Sequence, residues 1–214
     1  MRLQFIHGLQ SFLYTGVNME DRWKGQAPLF MNCFGDSLTE GFGLRKGRYW
    51  LEIAAREIHG IRFRNFGSCG SLSSDILQKA EFFLERAGSQ DEIFIMGGAN
   101  DLLCGIRLSS LEKNMERGIS HIAASLPLTI GIPPQVTRAS VEAGWQSEFS
   151  YDANQEDYRT YISFLKELAQ SLDVRVIDFS KVIPFDDDYY VDGVHPNEKG
   201  QELMAEAAIK VWGN

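Results

Sequence analysis

The sequence predicts an α/β protein, a three-layer α/β/α sandwich built on a five-stranded parallel sheet. Three observations lead there. From residue 29 onward, short apolar runs alternate with longer amphipathic ones, which is the pattern of parallel βα units. The 214 residues are enough for one domain that holds its core without staples. The composition is 44% hydrophobic, 12% aromatic and 23% charged, which excludes disordered, collagen-like and coiled-coil chains.

The elements follow in order. Residues 29–34 read as a strand that runs into Gly35-Asp36-Ser37. Leu51, Ala54, Ala55 and Ile58 then recur at helical spacing. Residues 61–65 form a second short strand. Ile76, Leu77, Ala80, Phe83, Leu84 and Ala87 make a helical stripe, with Ser73 or Ser74 as its cap. Residues 92–96 are the third strand, followed by Gly97-Gly98. Leu111, Met115, Ile119, Ile122 and Leu126 mark another helix. Residues 128–132 are the fourth strand, which Pro133-Pro134 stops because proline cannot continue a ladder. Tyr158, Tyr161, Ile162, Leu165, Leu168 and Leu172 mark a long helix, and residues 174–178 the fifth strand. Leu203, Met204, Ala207, Ala208 and Val211 mark the last helix.

Two segments stand outside this alternation. Residues 1–28 form an N-terminal extension: the roughly helical spacing of Leu3, Phe5, Ile6, Leu9, Phe12 and Leu13 fits a short helix docked on the body or on a partner chain in a homodimer, and the equal alternative is a poorly ordered extension. Residues 133–157 read as a long loop. Loops of that length in compact domains are commonly lids or binding loops, and Trp145, Phe149 and Tyr151 fit a packed, substrate-binding loop.

Charge and cysteine usage narrow the partners. The formal net charge is −8, which repels phosphate backbones and anionic membrane surfaces, so no nucleic-acid partner is expected. No apolar run is long enough to cross a bilayer, so no stable membrane insertion is expected. The three cysteines, Cys33, Cys69 and Cys104, form no Cys-x-x-Cys pair, which reads as small buried thiols in a reducing, cytoplasmic compartment. The N-terminus carries only Arg2 as an early charge, and His7 and Gln10 interrupt its apolar stretch, which argues against a cleaved signal.

In doubly wound sheets the ligand crevice lies at the carboxyl ends of the strands. Three predicted strands end there in polar, glycine-rich turns. The first carries Gly35-Asp36-Ser37-Leu38. Ser37 stands directly after the strand, although an Asp-Ser pair also serves as an ordinary helix cap. The second, Asn65 to Gly70, offers a backbone amide at Gly70. The third, Gly98-Ala99-Asn100-Asp101, offers the Asn100 side-chain amide, or a further cap. A serine hydroxyl needs a base to become a nucleophile. His195 has Asp192 three residues before it in a loop, and an acid so placed can fold back to orient the imidazole. Asp186-Asp187-Asp188 reads as a solvated loop rather than a metal site, and the glycines from Gly41 to Gly47 match no complete phosphate loop.

Taken together, these four blocks resemble those of the GDSL esterases and lipases, also called SGNH hydrolases, over about residues 29–212. The resemblance implies a flavodoxin-like topology and a serine esterase with no metal or cofactor. It makes Ser37 the nucleophile, His195 the general base and Asp192 its orienting acid. Gly70, Asn100 and the Ser37 amide become the oxyanion hole. The family acts on short-chain carboxylic esters, acetylated sugars, lysophospholipids and thioesters, so the expected partner is a small-molecule ester, with an acetylated sugar among the candidates. The alternatives are an acyltransferase using the same serine and a non-catalytic carbohydrate-binding relative.

Overall fold

The apolar runs pair as five parallel strands in the order β2-β1-β3-β4-β5. These are β1 (Leu29–Gly35), β2 (Ile61–Gly67), β3 (Asp91–Met96), β4 (Leu128–Ile132) and β5 (Arg175–Asp178). The computed structural model describes residues 29–213. The expected N-terminal extension, residues 1–28, lies outside the described residues. The first turn of the chain contributes α1 (Ser37–Glu40), then α2 (Trp50–Glu57), α3 (Ser73–Leu84), α4 (Ala99–Leu103) and α5 (Leu108–Ala123). The second half adds α6 (Ala139–Glu142), α7 (Glu148–Ser171), α8 (Phe179–Val182) and α9 (Glu198–Trp212), with a single 3-10 turn at Asp187–Tyr189.

Burial explains the strand sequences. β3 from Ile93 to Met96 and all of β4 are buried, because helices cover both faces of the sheet. On one face α2 packs against α9, and on the other α3 and α7 flank α5. The first face is held by an aromatic cluster in which Trp50 meets Phe94, Phe179 and Trp212 at ring-centroid distances of 5.4, 5.2 and 6.1 Å. Trp50 is fully buried, yet both its donors are satisfied. Its backbone amide donates to Gln201 Oε1 at 2.8 Å, and its indole N–H donates to the Leu38 carbonyl at 2.9 Å. Trp50 thereby ties the one-turn helix that carries Ser37 to the last helix of the chain.

Residues 133–157 are not one long loop, as the sequence pattern implied. α7 begins at Glu148, so the connection after β4 shrinks to residues 133–147 and contains α6. The early part of α7 buries Tyr151, Gln155 and Tyr158, a stripe at helical spacing in which a glutamine holds the middle place. Gln155 Nε2 donates to the Val136 carbonyl at 2.7 Å and Tyr158 donates to the Pro134 carbonyl at 2.9 Å. Ser147 caps the helix by accepting from the Ser150 amide at 3.1 Å. The cap expected at Ser73 or Ser74 is also replaced: Ser73 is the first helical residue of α3, and its amide donates to Asp101 Oδ2 at 2.8 Å. Of the cysteines only Cys33 is buried, whereas Cys69 and Cys104 are exposed. Among the described residues no helix is long and apolar enough to cross a membrane.

Trp50→Phe keeps an aromatic core residue but leaves the Leu38 carbonyl without its donor. This should cost about 1–3 kcal/mol, measured as a lower urea midpoint with an unchanged slope.

Candidate active site

The register of the sheet brings the three polar turns side by side. Gly35 at the end of β1 pairs with Gly67 on β2 and with Met96 on β3. The turns that follow therefore leave the same edge of the sheet from adjacent strands. Gly35 is required by close approach: a Cβ there would lie 2.0 Å from Thr39 Oγ1 and 2.9 Å from the Met96 carbonyl oxygen. Only a glycine lets the chain fold back tightly enough to present Ser37. α1 is a single turn, so its dipole is small, and any oxyanion donors here must be individual N–H groups.

Side chains and amides lock the three turns together. The Ser68 amide donates to the Gly35 carbonyl at 3.0 Å, and Asn65 Nδ2 donates to the Thr39 carbonyl at 3.0 Å. The Glu40 carboxylate accepts from the Cys69 amide, one residue before Gly70. Gly70 itself sits at φ +74°, the left-handed region that glycine occupies freely. Asn100 Nδ2 donates to the Ser71 carbonyl at 3.0 Å, and Asp101 accepts from both the amide and the hydroxyl of Ser73, the latter at 2.6 Å. Tyr161 donates to the Gly97 carbonyl at 2.9 Å and fixes the base of the third turn.

Ser37 and His195 lie 158 positions apart in sequence and meet in space. His195 Nε2 is 2.9 Å from Ser37 Oγ, and both residues are buried. On the other side of the ring, Nδ1 is 2.8 Å from Asp192 Oδ2. A carboxylate accepts only, so Nδ1 carries the proton and Nε2 is left to accept from the Ser37 hydroxyl. Asp192 Oδ1 accepts from the backbone amides of Val194 at 3.1 Å and His195 at 2.8 Å, which explains the three-residue spacing of the pair. Burial by itself would raise the Asp192 carboxyl. The hydrogen bonds from the His195 ring and amide, the imidazolium charge and the Val194 amide outweigh it and leave the pKa lowered to about 2.

Two aromatic rings border the imidazole. Phe42 lies 4.5 Å from it, centroid to centroid, and Trp145 lies 5.2 Å away at 68°. Each is about two-fifths exposed (42%), so each keeps a free face toward solvent. Phe42 was hidden in the glycine-rich stretch after Ser37, and the only sequence signal was an aromatic residue between Gly41 and Gly43. Of the three aromatic residues expected to bind substrate, Trp145 contacts the histidine. Phe149 projects into solvent at 99% exposure, and Tyr151 is buried with the Arg138 guanidinium 4.7 Å over its ring. The aspartate run does not form a metal cluster. Asp186 Oδ1 accepts from the Asp188 amide, Asp187 accepts from the Thr137 hydroxyl, and no group of metal-binding side chains converges among the described residues.

Asp36, beside the serine, is also buried. Its Oδ1 accepts from the Leu38 amide at 2.9 Å, while Oδ2 has no partner among the described residues. Burial raises its pKa from 3.8 to about 6, only partly offset by the Leu38 amide and the charge of His195. Cys69, next to Gly70, is exposed as a residue, but desolvation around its sulfur and the Glu40 carboxylate push the thiol up to about 12, so it stays protonated and poorly nucleophilic.

The GDSL-like lipase/acylhydrolase family matches residues 33–203 of the chain. The chain belongs to that family. As a family member it is a carboxylic ester hydrolase. No curated protein matches it. A solved lipolytic protein of the G-D-S-L family from Veillonella parvula DSM 2008 is 29% identical, with a TM-score of 0.75 over 86% of this chain and 98% of that one. The acetylxylan esterase Axe2 from Geobacillus stearothermophilus shares the fold at 17% identity and a TM-score of 0.68, covering 87% of this chain and 94% of that one. The psychrotrophic esterase EstA from Pseudoalteromonas sp. does so at 18% identity and 0.66, covering 85% and 95%.

The raised Asp36 carboxyl sets a pH dependence for this GDSL hydrolase. The folded group holds its proton more tightly than the unfolded one, so native stability falls as pH climbs from 3.8 to about 6 and stays reduced above that. Asp36→Asn removes the titration. Relative to the parent it should gain on the order of 2–3 kcal/mol between about pH 4 and about pH 7, read from urea unfolding at each pH. A difference that is constant across that range would show that Asp36 carries no such penalty.

Proposed function

We propose that the chain is a serine esterase working through an acyl-enzyme on small carboxylic esters. The contact of Ser37 Oγ with His195 Nε2 at 2.9 Å, continued to Asp192 at 2.8 Å, carries this reading. Ser37 attacks the ester carbonyl as its proton passes to Nε2. Asp192 holds the imidazole in the required tautomer and stabilises the imidazolium that forms. The carbonyl electron pair moves onto oxygen, where the Gly70 amide, the Asn100 side-chain amide and the Ser37 amide serve as donors. Collapse of this intermediate breaks the bond to the alcohol, which leaves with the proton from His195. Water then repeats the sequence, with His195 again as base, and releases the acid and free Ser37.

The alcohol must depart beside Nε2, and so beside Phe42 and Trp145. Two half-exposed aromatic rings favour an apolar alcohol or the face of a sugar ring. An acetylated sugar as one substrate class agrees with the neighbour from Geobacillus stearothermophilus, an acetylxylan esterase. The free thiols of Cys33, Cys69 and Cys104 suit a reducing, cytoplasmic compartment.

A nitrophenyl acetate assay beside a panel of esters varied in acyl length and alcohol tests this reading. Ser37→Ala should abolish turnover beyond the residual due to binding and the oxyanion hole. Asn100→Ala should lower kcat about 10²–10³-fold. A Ser37→Ala protein as active as the parent would contradict the proposal.

A further inference from the structure

We propose that Trp145 is a positioning residue for the acid–base pair, acting through Asp192. The inference rests on the roles proposed above for Ser37, His195 and Asp192. Its basis is a second donor on the carboxylate. The Trp145 indole Nε1–H donates to Asp192 Oδ2 at 2.8 Å, the same oxygen that accepts from His195 Nδ1 at 2.8 Å. With Oδ1 already bound to two backbone amides, the carboxylate has a donor arrangement on each oxygen and no freedom to swing about its Cβ–Cγ bond.

The geometry assigns the indole two tasks. An indole N–H is a donor only, so its bond to Oδ2 has one direction and cannot invert as the histidine changes charge. The ring edge meets the imidazole at 5.2 Å and 68°, so the residue that fixes the acid also limits the tilt of the base. A ring serving only as a stacking platform for substrate would not need its N–H aimed at a carboxylate.

The loop that delivers Trp145 is ordered for that purpose. The Thr137 amide donates to the Gly193 carbonyl at 2.8 Å, joining the loop to the Asp192–His195 turn directly. Ser140 Oγ donates to the Thr137 carbonyl at 2.6 Å and accepts from Gln146 Nε2 at 2.7 Å. The Trp145 amide donates to the Ser140 carbonyl at 2.9 Å. Ser140 is fully buried and Gln146 nearly so, so the anchors on both sides of the tryptophan are fixed while its ring remains partly open.

Steady-state kinetics with nitrophenyl acetate and with an unactivated alkyl ester test the role. Trp145→Phe keeps an aromatic ring and removes the N–H. It should lower kcat on the order of tenfold, the scale of a small misplacement of catalytic groups, with KM within about twofold. Benzothienylalanine at position 145, which replaces only the N–H by sulfur, should show the same loss. In an Asp192→Asn background, either change should cost nothing further, because the positioned group is already lost. Parent-like kcat in both variants, a loss confined to KM, or a full additional loss in the Asp192→Asn background would overturn the assignment. If Ser37→Ala is inactive while the Trp145 variants match the parent, the Trp145 role fails alone. If Ser37→Ala retains activity, the underlying serine mechanism fails with it.

Discussion

The hydrogen bond between Ser37 and His195 joins the end of the first strand to the turn before the last helix. Polar contacts hold each end of it. Trp50 fastens the Ser37 turn to α9 through Leu38 and Gln201. Asp192 fixes the ring from behind, through its own backbone cap on His195. Two supports, the sheet edge and the capped turn, converge there from opposite ends of the chain.

The same edge of the sheet holds two aspartates of opposite character. Asp192 is held ionised, against its burial, by the His195 ring and by the backbone amides of His195 and Val194. Asp36 is buried with one oxygen unpartnered among the described residues, and its carboxyl is pushed up to about 6. One carboxylate is held by donors against the His195 imidazole. The other belongs to the tight turn that presents the serine, and its burial costs stability. Desolvation of this carboxyl is the cost of so tight a turn.

Much of this was legible in the sequence because it is written in short-range pattern. β1, β3 and β4 are apolar runs that end at glycine or proline, and the separation of Asp192 from His195 is a local capping spacing. What stayed hidden depends on partners distant in sequence. The start of α7 was missed because Tyr151, Gln155 and Tyr158 form its buried stripe, and a glutamine counts as polar until its acceptor, the Val136 carbonyl, is known. Trp145 stood out as an aromatic residue, but its directed bond to a carboxylate 47 residues away could not be read from periodicity. Phe42 turns on which way a loop faces and the exposure of Phe149 on which side of the first turn of α7 is left uncovered, and composition encodes neither. One-turn helices such as α1 and α4 are too short to show a period at all.

The most direct test of the Ser37–His195 contact is covalent trapping. The protein is treated with a fluorophosphonate and the modified peptide is located by mass spectrometry, in the parent and in His195→Ala. A single adduct on Ser37, formed rapidly in the parent and at least about a hundredfold more slowly without the imidazole, is the expected result. No adduct on Ser37, or labelling at equal rates in the two proteins, would contradict the account.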